Sequence, residues 1–291
     1  MSKTFITIGT FDGVHRGHKK LFTALKTCAK KYSFEPLALV FQMPPKNILS
    51  NKTEQSVLID LKQKKELLKD IKTVFIDFEK VKNLSAETFF DLLITKYKMG
   101  GIIAGKDFAF GKDRQGNISF LREKCKQKNI LLEIIDFEEE GKSKISSSRL
   151  RTALKNGEIA AFNKMLGRPF TLEGKIIYGQ QLGRKIGFPT ANLDISKEQI
   201  LPRGVFAVLV YLKEKKYKGI CNIGLRPTVE INGLPSVEIF IFNFNKDIYG
   251  EILRAEFIQK IRNEQRFNGL GELTEQINKD CTNAQKVLAG F

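Results

Sequence analysis

The sequence has no tryptophan, four cysteines, eight prolines and two histidines among its 291 residues. Cys28, Cys125, Cys221 and Cys281 lie far apart and form no CxxC pair, which excludes a disulfide scaffold and leaves reduced, mostly buried thiols. No apolar run approaches the roughly 20 residues a membrane helix needs. The opening residues, MSKTFITIGTFDG, lack the long apolar stretch of a signal peptide and run straight into a strand pattern. A cytoplasmic protein without a membrane partner is the expectation. There is no internal repeat or low-complexity linker, and a hydrophobic content of 42% excludes general disorder and collagen-like chains. At about 150 residues per domain, the length suggests two domains, each with its own core.

Charge of one sign is in excess: 49 Lys and Arg stand against 32 Asp and Glu, a net +17. Residues 1–160 carry a net +11 and residues 161–291 a net +6, mostly as scattered lysines. A nucleic-acid surface concentrates Arg and Lys on a stripe with stacking aromatics. The sequence has no such stripe, so the excess reads as a lysine-rich solvated surface that also favours small anionic substrates. No nucleic-acid partner is expected, and the oligomeric state stays open.

The first half alternates strand and helix patterns. Strands are expected at residues 4–9, 37–41, 73–78, 101–104 and 130–135, with helices at residues 86–97 and 118–127. Leu21, Phe22, Leu25, Cys28, Ala29 and Tyr32 recur at helical spacing between the first two strands. This alternation implies a parallel sheet with right-handed crossovers, whose ligands gather at the carboxyl ends of the strands. After Gly157 a short helix can run to Leu166. Short strand-like runs then follow near residues 174–178, 205–211, 217–223, 237–242 and 253–257, separated by turn-forming clusters. They suggest an antiparallel barrel or sandwich. Leu273, Ile277, Cys281, Ala284 and Leu288 make the apolar stripe of a closing helix.

Both histidines fall in residues 9–18, GTFDGVHRGH, where the first strand gives way to the first helix. His15 and His18 share one face of the first helical turn. Unpaired backbone N–H groups and the positive end of the helix dipole suit a polyphosphate there, and Gly9, Gly13 and Gly17 allow close approach of backbone to ligand. The dipole contributes only about 0.3–1 kcal/mol per anion. Catalysis typically needs about 8 kcal/mol or more, so imidazoles, cationic groups and a metal must supply most of it.

These ten residues resemble the HxGH signature of the nucleotidyltransferase superfamily, in the version carried by bacterial FAD synthetases. Two later segments agree: Gly105 to Gly111, GKDFAFG, followed by Gly116, is similar to the GxDFxFG loop, and residues 145–151, ISSSRLR, to the ISSTxIR motif. The resemblance implies catalytic roles for His15, His18 and Arg151. It also implies ATP-phosphate contacts from Gly9, Phe11, Asp12, Gly13, Gly17, Ser147 and Ser148, and flavin contacts from Phe41, Asp107 and Phe108. Serine hydroxyls and the planar fork of an arginine suit phosphate oxygens chemically. The sequence departs from the pattern after the second strand, where a Phe-x-Pro-x-Pro stretch is usual. Here it reads Phe41, Gln42, Met43, Pro44, Pro45, with Met43 in place of the first proline.

In the second half, residues 183–193, GRKIGFPTANL, form the densest motif. In an extended segment Thr190 and Asn192 point to the same side. Their neutral oxygens suit Mg²⁺ if phosphates and waters complete its shell. Gly179, Gly183 and Gly187 give a flexible, basic loop able to fold over phosphates. This segment resembles the PTAN signature of riboflavin kinases, and residues 202–207, 222–229, 237–238, 247–253 and 262–267 follow in that family's order. The resemblance implies that Thr190 and Asn192 hold Mg²⁺ with ATP, that Glu238 is the general base on the ribityl hydroxyl, and that Arg266 and Phe267 lie on a loop closing over the flavin.

The expected fold is α/β plus β-barrel, with a Rossmann-like parallel sheet of the HxGH type in residues 1–157. A riboflavin-kinase-like antiparallel barrel with a terminal helix is expected in residues 158–291. The order of motifs is that of prokaryotic bifunctional riboflavin kinase/FAD synthetases. It implies two transferase reactions on ATP, riboflavin, FMN and FAD, both with Mg²⁺. A single-activity kinase with a non-catalytic nucleotidyltransferase-like module is the alternative.

Overall fold

The structure, a computed structural model, describes residues 2–45, 48, 56–141, 143–224 and 235–291. Residues 225–229 of the expected kinase motif at 222–229 lie outside the described residues. The chain divides into two compact units, Met1–Ser147 and Ser148–Phe291.

The first unit runs β1 (Thr4–Gly9), α1 (Arg16–Lys31), β2 (Glu35–Phe41), α2 (Leu61–Leu67), β3 (Lys72–Ile76), α3 (Ala86–Tyr97), β4 (Met99–Gly105), α4 (Ile118–Gln127) and β5 (Leu131–Ile135). A two-residue hairpin follows, β6 (Glu139–Glu140) and β7 (Ser143–Lys144). The five long strands form a parallel sheet in the order β3-β2-β1-β4-β5. Alternation along β1 divides the core. Phe5 packs with Leu25 and Ala29 of α1, whereas Ile6 and Ile8 pack with Phe89, Phe90 and Leu93 of α3 and Leu121 and Cys125 of α4. Each Leu, Ile or Phe among them contributes about 1.5–3 kcal/mol when fully buried. The chain leaves β1 in one direction for β2 and returns on the other side as β4. The crevice between the carboxyl ends of β1 and β4 is therefore the topological switch point, where open α/β sheets bind ligands.

The second unit contains α5 (Ser147–Lys155, beginning at the boundary), α6 (Ile159–Leu166), β8 (Phe170–Ile177), a helical turn α7 (Leu182–Lys185), β9 (Thr190–Asp194), β10 (Gly204–Leu212), β11 (Lys215–Gly224), β12 (Ser236–Ile241), β13 (Ile252–Arg262) and α8 (Leu270–Val287). The six strands close into an antiparallel barrel in the order β10-β11-β12-β9-β8-β13. Phe170, Phe206 and Phe257 fill its interior, the Phe257 ring centroid lying 5.2 Å from that of Phe170 and 5.4 Å from that of Phe206. The α8 stripe of Ile277, Cys281, Ala284 and Leu288 covers an outer face made by Val205, Ala207, Leu209 and Ile220. Arg262 at the end of β13 clamps α8 by donating to both carboxylate oxygens of buried Asp280, at 2.8–3.0 Å.

The unit boundary falls ten residues before Gly157, so α5 groups with the barrel. Lys260 of β13 donates to the Asn156 carbonyl (3.4 Å), and a Cβ on Gly157 would stand 2.5 Å from its Nζ. Gly157 also has φ +72, in the region that glycine tolerates best.

Candidate active sites

The turn from β1 into α1 is held by its own side chains. His15 is the N-cap of α1, 4% exposed, and its Nδ1 accepts from the His18 backbone N–H at 3.4 Å. The two imidazoles stack with centroids 3.6 Å apart and 20° between planes. Gly17 makes this possible, because a Cβ there would lie 3.2 Å from the His15 ring. Phe11 folds back over Gly9, packs on Phe22 and meets His18 edge-on at 5.2 Å. Both carboxylate oxygens of Asp12, 1% exposed, accept from the Leu58 backbone N–H at 3.0 and 3.1 Å. Phe11 and Asp12 therefore brace the turn, which is buried from Phe11 to His15. Phe11, Gly13 and Val14 all have positive φ (48, 82 and 42°). For a non-glycine residue such a conformation costs on the order of 1–3 kcal/mol, and it persists where the surroundings fix it.

Later segments of the first unit are tied to this turn and to the start of α1. Ser147 Oγ donates to the Asp12 carbonyl at 3.2 Å. The hairpin that delivers it is anchored to α1. Arg16 donates to Glu140 (2.5 Å) and Glu138 (2.9 Å), and the Glu140 hydrogen bond is the larger cause of a guanidinium pKa above its ordinary value. Lys144, three residues before Ser147, pairs with Asp107 on the loop after β4 and lies 3.6 Å from the Phe137 ring centroid. Phe108 stacks on Phe110 at 5.5 Å, and a Cβ on Gly116 would meet the Phe110 ring at 2.7 Å. Phe41, at the carboxyl end of β2, meets Phe78 edge-on at 5.7 Å. Gly9, Phe41 and Gly105 thus end three adjacent strands at one edge. Ser148 is exposed, and Arg151 lies one helical turn beyond Ser147 on α5.

The barrel presents the second group on one outer face. Glu238 of β12 is paired in register with Asn192 of β9 on one side and with Asn222 of β11 on the other. Directly opposed residues share a face of the sheet, so these three side chains stand together, with Thr190 and Phe240 one pair further on. Asn192 is 7% exposed, and a Cβ on Gly179 would stand 2.3 Å from its Nδ2. A Cβ on Gly183 would lie 3.6 Å from Thr190 Oγ1 and 2.2 Å from the Phe188 carbonyl. The glycines therefore let the loop lie directly on Thr190 and Asn192. Gly187 (φ +86) is exposed at its tip. Ser236 Oγ donates to Glu238 Oε1 at 3.2 Å. Cys221 lies behind this face, its thiol pushed well above its ordinary pKa by burial and further by the Glu238 charge. Arg266 is exposed and Phe267 half-buried, with the Arg262 guanidinium 5.7 Å from the Phe267 ring.

Several neighbours of these groups were not singled out by the sequence. Arg16 sits inside the histidine motif, but its partners Glu138 and Glu140 are more than 120 positions away. Asn222 and Glu264 lie within motifs whose roles the resemblance left unassigned. Glu264 packs so closely on Gly224 that a Cβ there would be 1.8 Å from its Oε1.

A parallel sheet with a histidine-capped helix at its switch point, followed by a closed barrel with a hydroxyl, a carboxamide and a carboxylate on one face, defines a two-site enzyme for phosphate-bearing substrates. Residues 1–149 match the FAD synthetase family model, and residues 166–288 match the riboflavin kinase model. A bifunctional riboflavin kinase/FMN adenylyltransferase from Buchnera aphidicola subsp. Schizaphis graminum is 39% identical over 98% of this chain and 94% of its own length. Enzymes of the same name from Bacillus subtilis and Escherichia coli K12 are 35% and 33% identical over 96% and 97% of this chain, and over 90% and 91% of theirs. A crystal structure from Streptococcus pneumoniae, described as a macrolide-efflux protein, superposes with a TM-score of 0.86 at 30% identity. It covers 96% of this chain and 92% of that one. Among the described residues no helix is long and apolar enough to cross a membrane. The chain belongs to the bifunctional riboflavin kinase/FMN adenylyltransferase family.

Proposed function

We propose that the family's two reactions are divided between the two groups of residues described above. The chain phosphorylates riboflavin to FMN with ATP, and it joins FMN to the adenylyl group of ATP to give FAD and pyrophosphate. What supports the division is that Ser147 meets the histidine turn at Asp12 while Thr190, Asn192 and Glu238 share one face of paired strands. The first group lies at the carboxyl edge of the parallel sheet and the second on an outer face of the barrel.

In adenylylation the FMN phosphate attacks the α-phosphorus of ATP and pyrophosphate leaves. His15, His18 and Arg151 balance the negative charge that gathers on the phosphates, and preorganised cations and dipoles are the largest source of such stabilisation. Gly9, Gly13 and Gly17 admit the triphosphate to backbone N–H groups, Ser147 and Ser148 donate hydroxyls, and Phe11 and Asp12 hold the turn. Phe41, Asp107 and Phe108 flank the flavin. The motif that opens α5 serves this chemistry, so residues 1–157 are assigned to adenylylation and residues 158–291 to phosphorylation.

In phosphorylation Glu238 accepts the proton of the ribityl hydroxyl as its oxygen attacks the γ-phosphorus and ADP leaves. Gly179, Gly183 and Gly187 carry the loop over the ATP phosphates, and Arg266 and Phe267 close on the flavin. Thr190 and Asn192 would hold Mg²⁺. Two neutral oxygens fit a cation whose remaining ligands are phosphates and waters, and among the described residues no three His, Cys, Asp or Glu gather into a cage. A magnesium ion bound there neutralises phosphate charge. The four cysteines, all free thiols, suit a cytoplasmic setting.

His18→Ala abolishes FAD formation from supplied FMN and leaves riboflavin phosphorylation within about twofold of wild type, whereas Glu238→Ala does the reverse. Chromatographic separation of the flavins reads both. Loss of both activities from either folded variant contradicts the division.

A further inference from the structure

Lys64 lies on α2, in the crossover from β2 to β3, and is 1% exposed, as deeply buried as Asp12. Its Nζ donates to the Gln42 carbonyl at 3.1 Å and reaches the Phe41 carbonyl at 3.5 Å. Val57, Leu58 and Ile59 before α2 and Leu68 at its end are buried as well. Asp60 fixes the start of α2 by accepting from the Gln63 N–H at 2.7 Å. Taking an ammonium out of water costs several kcal/mol, about what hydrogen bonds must return, and an apolar side chain of similar volume is often as stable or more so. Stability is thus a weak reason for a lysine at this position.

The two carbonyls it holds give a better reason. They belong to the last residue of β2 and the first of the loop that follows, at the sheet edge where Gly9 also ends and is paired with Val40. Pro44 and Pro45 in that loop have no N–H to donate, so the loop has few backbone bonds with which to fix itself. Met43 removes the additional φ restriction that a third proline would impose. An anchor on the carbonyl side compensates for both.

The structure assigns Lys64 the role of a positioning residue for adenylylation. Its ammonium ties down the carbonyls of Phe41 and Gln42 and thereby presents the loop at residues 41–45 to the flavin of FMN. This inference rests on the reading that Phe41 flanks the flavin.

The test uses the full chain carrying Lys64→Met, which keeps the length of the side chain and removes its donors. FAD formation is measured with FMN varied and then with ATP varied, and riboflavin phosphorylation and urea unfolding are followed on the same preparation. The expected result is a KM for FMN raised about tenfold, a KM for ATP within about twofold of wild type and unchanged riboflavin phosphorylation. Adding Met43→Pro to this variant is expected to recover at least half of the loss, because a stiffer loop needs its anchor less. An unchanged KM for FMN, or a proportional rise for FMN and ATP, overturns the assignment. If Lys64→Met shows no cooperative unfolding transition, Lys64→Gln, with a shorter neutral donor, is subjected to the same comparison and the same two outcomes decide. Failure of the underlying reading shows separately, as a Phe41→Ala chain whose KM for FMN is unaltered.

Discussion

Single residues in this protein carry conformational costs in and around the two candidate sites. Gly17 has no side chain because the His15 imidazole occupies the space a Cβ would need, only 3.2 Å away. Gly179 stands in the same relation to Asn192 in the barrel, and Gly183 to the Phe188 carbonyl, 2.2 Å from where its Cβ would be. In both units a glycine marks a place where a neighbouring polar side chain lies close against the backbone. Thr7 of β1 has the opposite character: it is 0% exposed and its Oγ1 has no hydrogen-bond partner. An unsatisfied buried hydroxyl costs about 1–3 kcal/mol. Thr7→Val keeps the shape of the side chain and removes the hydroxyl, so it raises the free energy of unfolding in urea by about 1 kcal/mol. A loss of stability instead contradicts the geometry given for this strand.

Among the elements, those with a regular apolar period were legible in the sequence. Ala38, Leu39 and Val40 of β2 are an uninterrupted apolar run because the strand is covered on both faces, and the stripe on α8 predicts its packing on the barrel. Several elements escaped, among them the helical turn α7 within the glycine loop. In α2, LKQKKEL, the buried position is a lysine, which a search for apolar spacing discards. The strand β9 was recognised as an extended segment around Thr190 and Asn192, but not as the sixth strand that closes the barrel. The β6–β7 hairpin is too short and too polar to leave a pattern, and long-range pairs such as Arg16 with Glu138 and Glu140 hold its residues. The histidine turn was legible because both histidines of the chain lie in it; its bracing by the Asp12 carboxylate depends on Leu58, which no local spacing reveals. The helix α8 carries a measurable pH effect. Burial, with Asp280 adding, pushes the Cys281 thiol from its ordinary 9.0 up to about 11. Above pH 9 the unfolded thiol ionises while the folded one keeps its proton, so this group's contribution to stability falls as pH rises from about 9 towards 11. Denaturant midpoints between pH 8 and 10.5 decline less steeply in Cys281→Ala than in wild type. Parallel curves contradict the burial.

At the scale of the whole molecule, one polypeptide joins a switch-point crevice on a parallel sheet to a hydroxyl, carboxamide and carboxylate face on a closed barrel, and FMN is the product of one reaction and the substrate of the other. The net +17 is spread over both halves, which suits a protein whose substrates at both centres are anionic phosphates. The most direct test of separate centres mixes two disabled chains. His18→Ala and Glu238→Ala proteins are each incubated with riboflavin, ATP and Mg²⁺, alone and together, and the flavins are separated over time. The account predicts that His18→Ala alone stops at FMN, that Glu238→Ala alone leaves riboflavin untouched, and that the mixture makes FAD. FAD from either variant alone contradicts it.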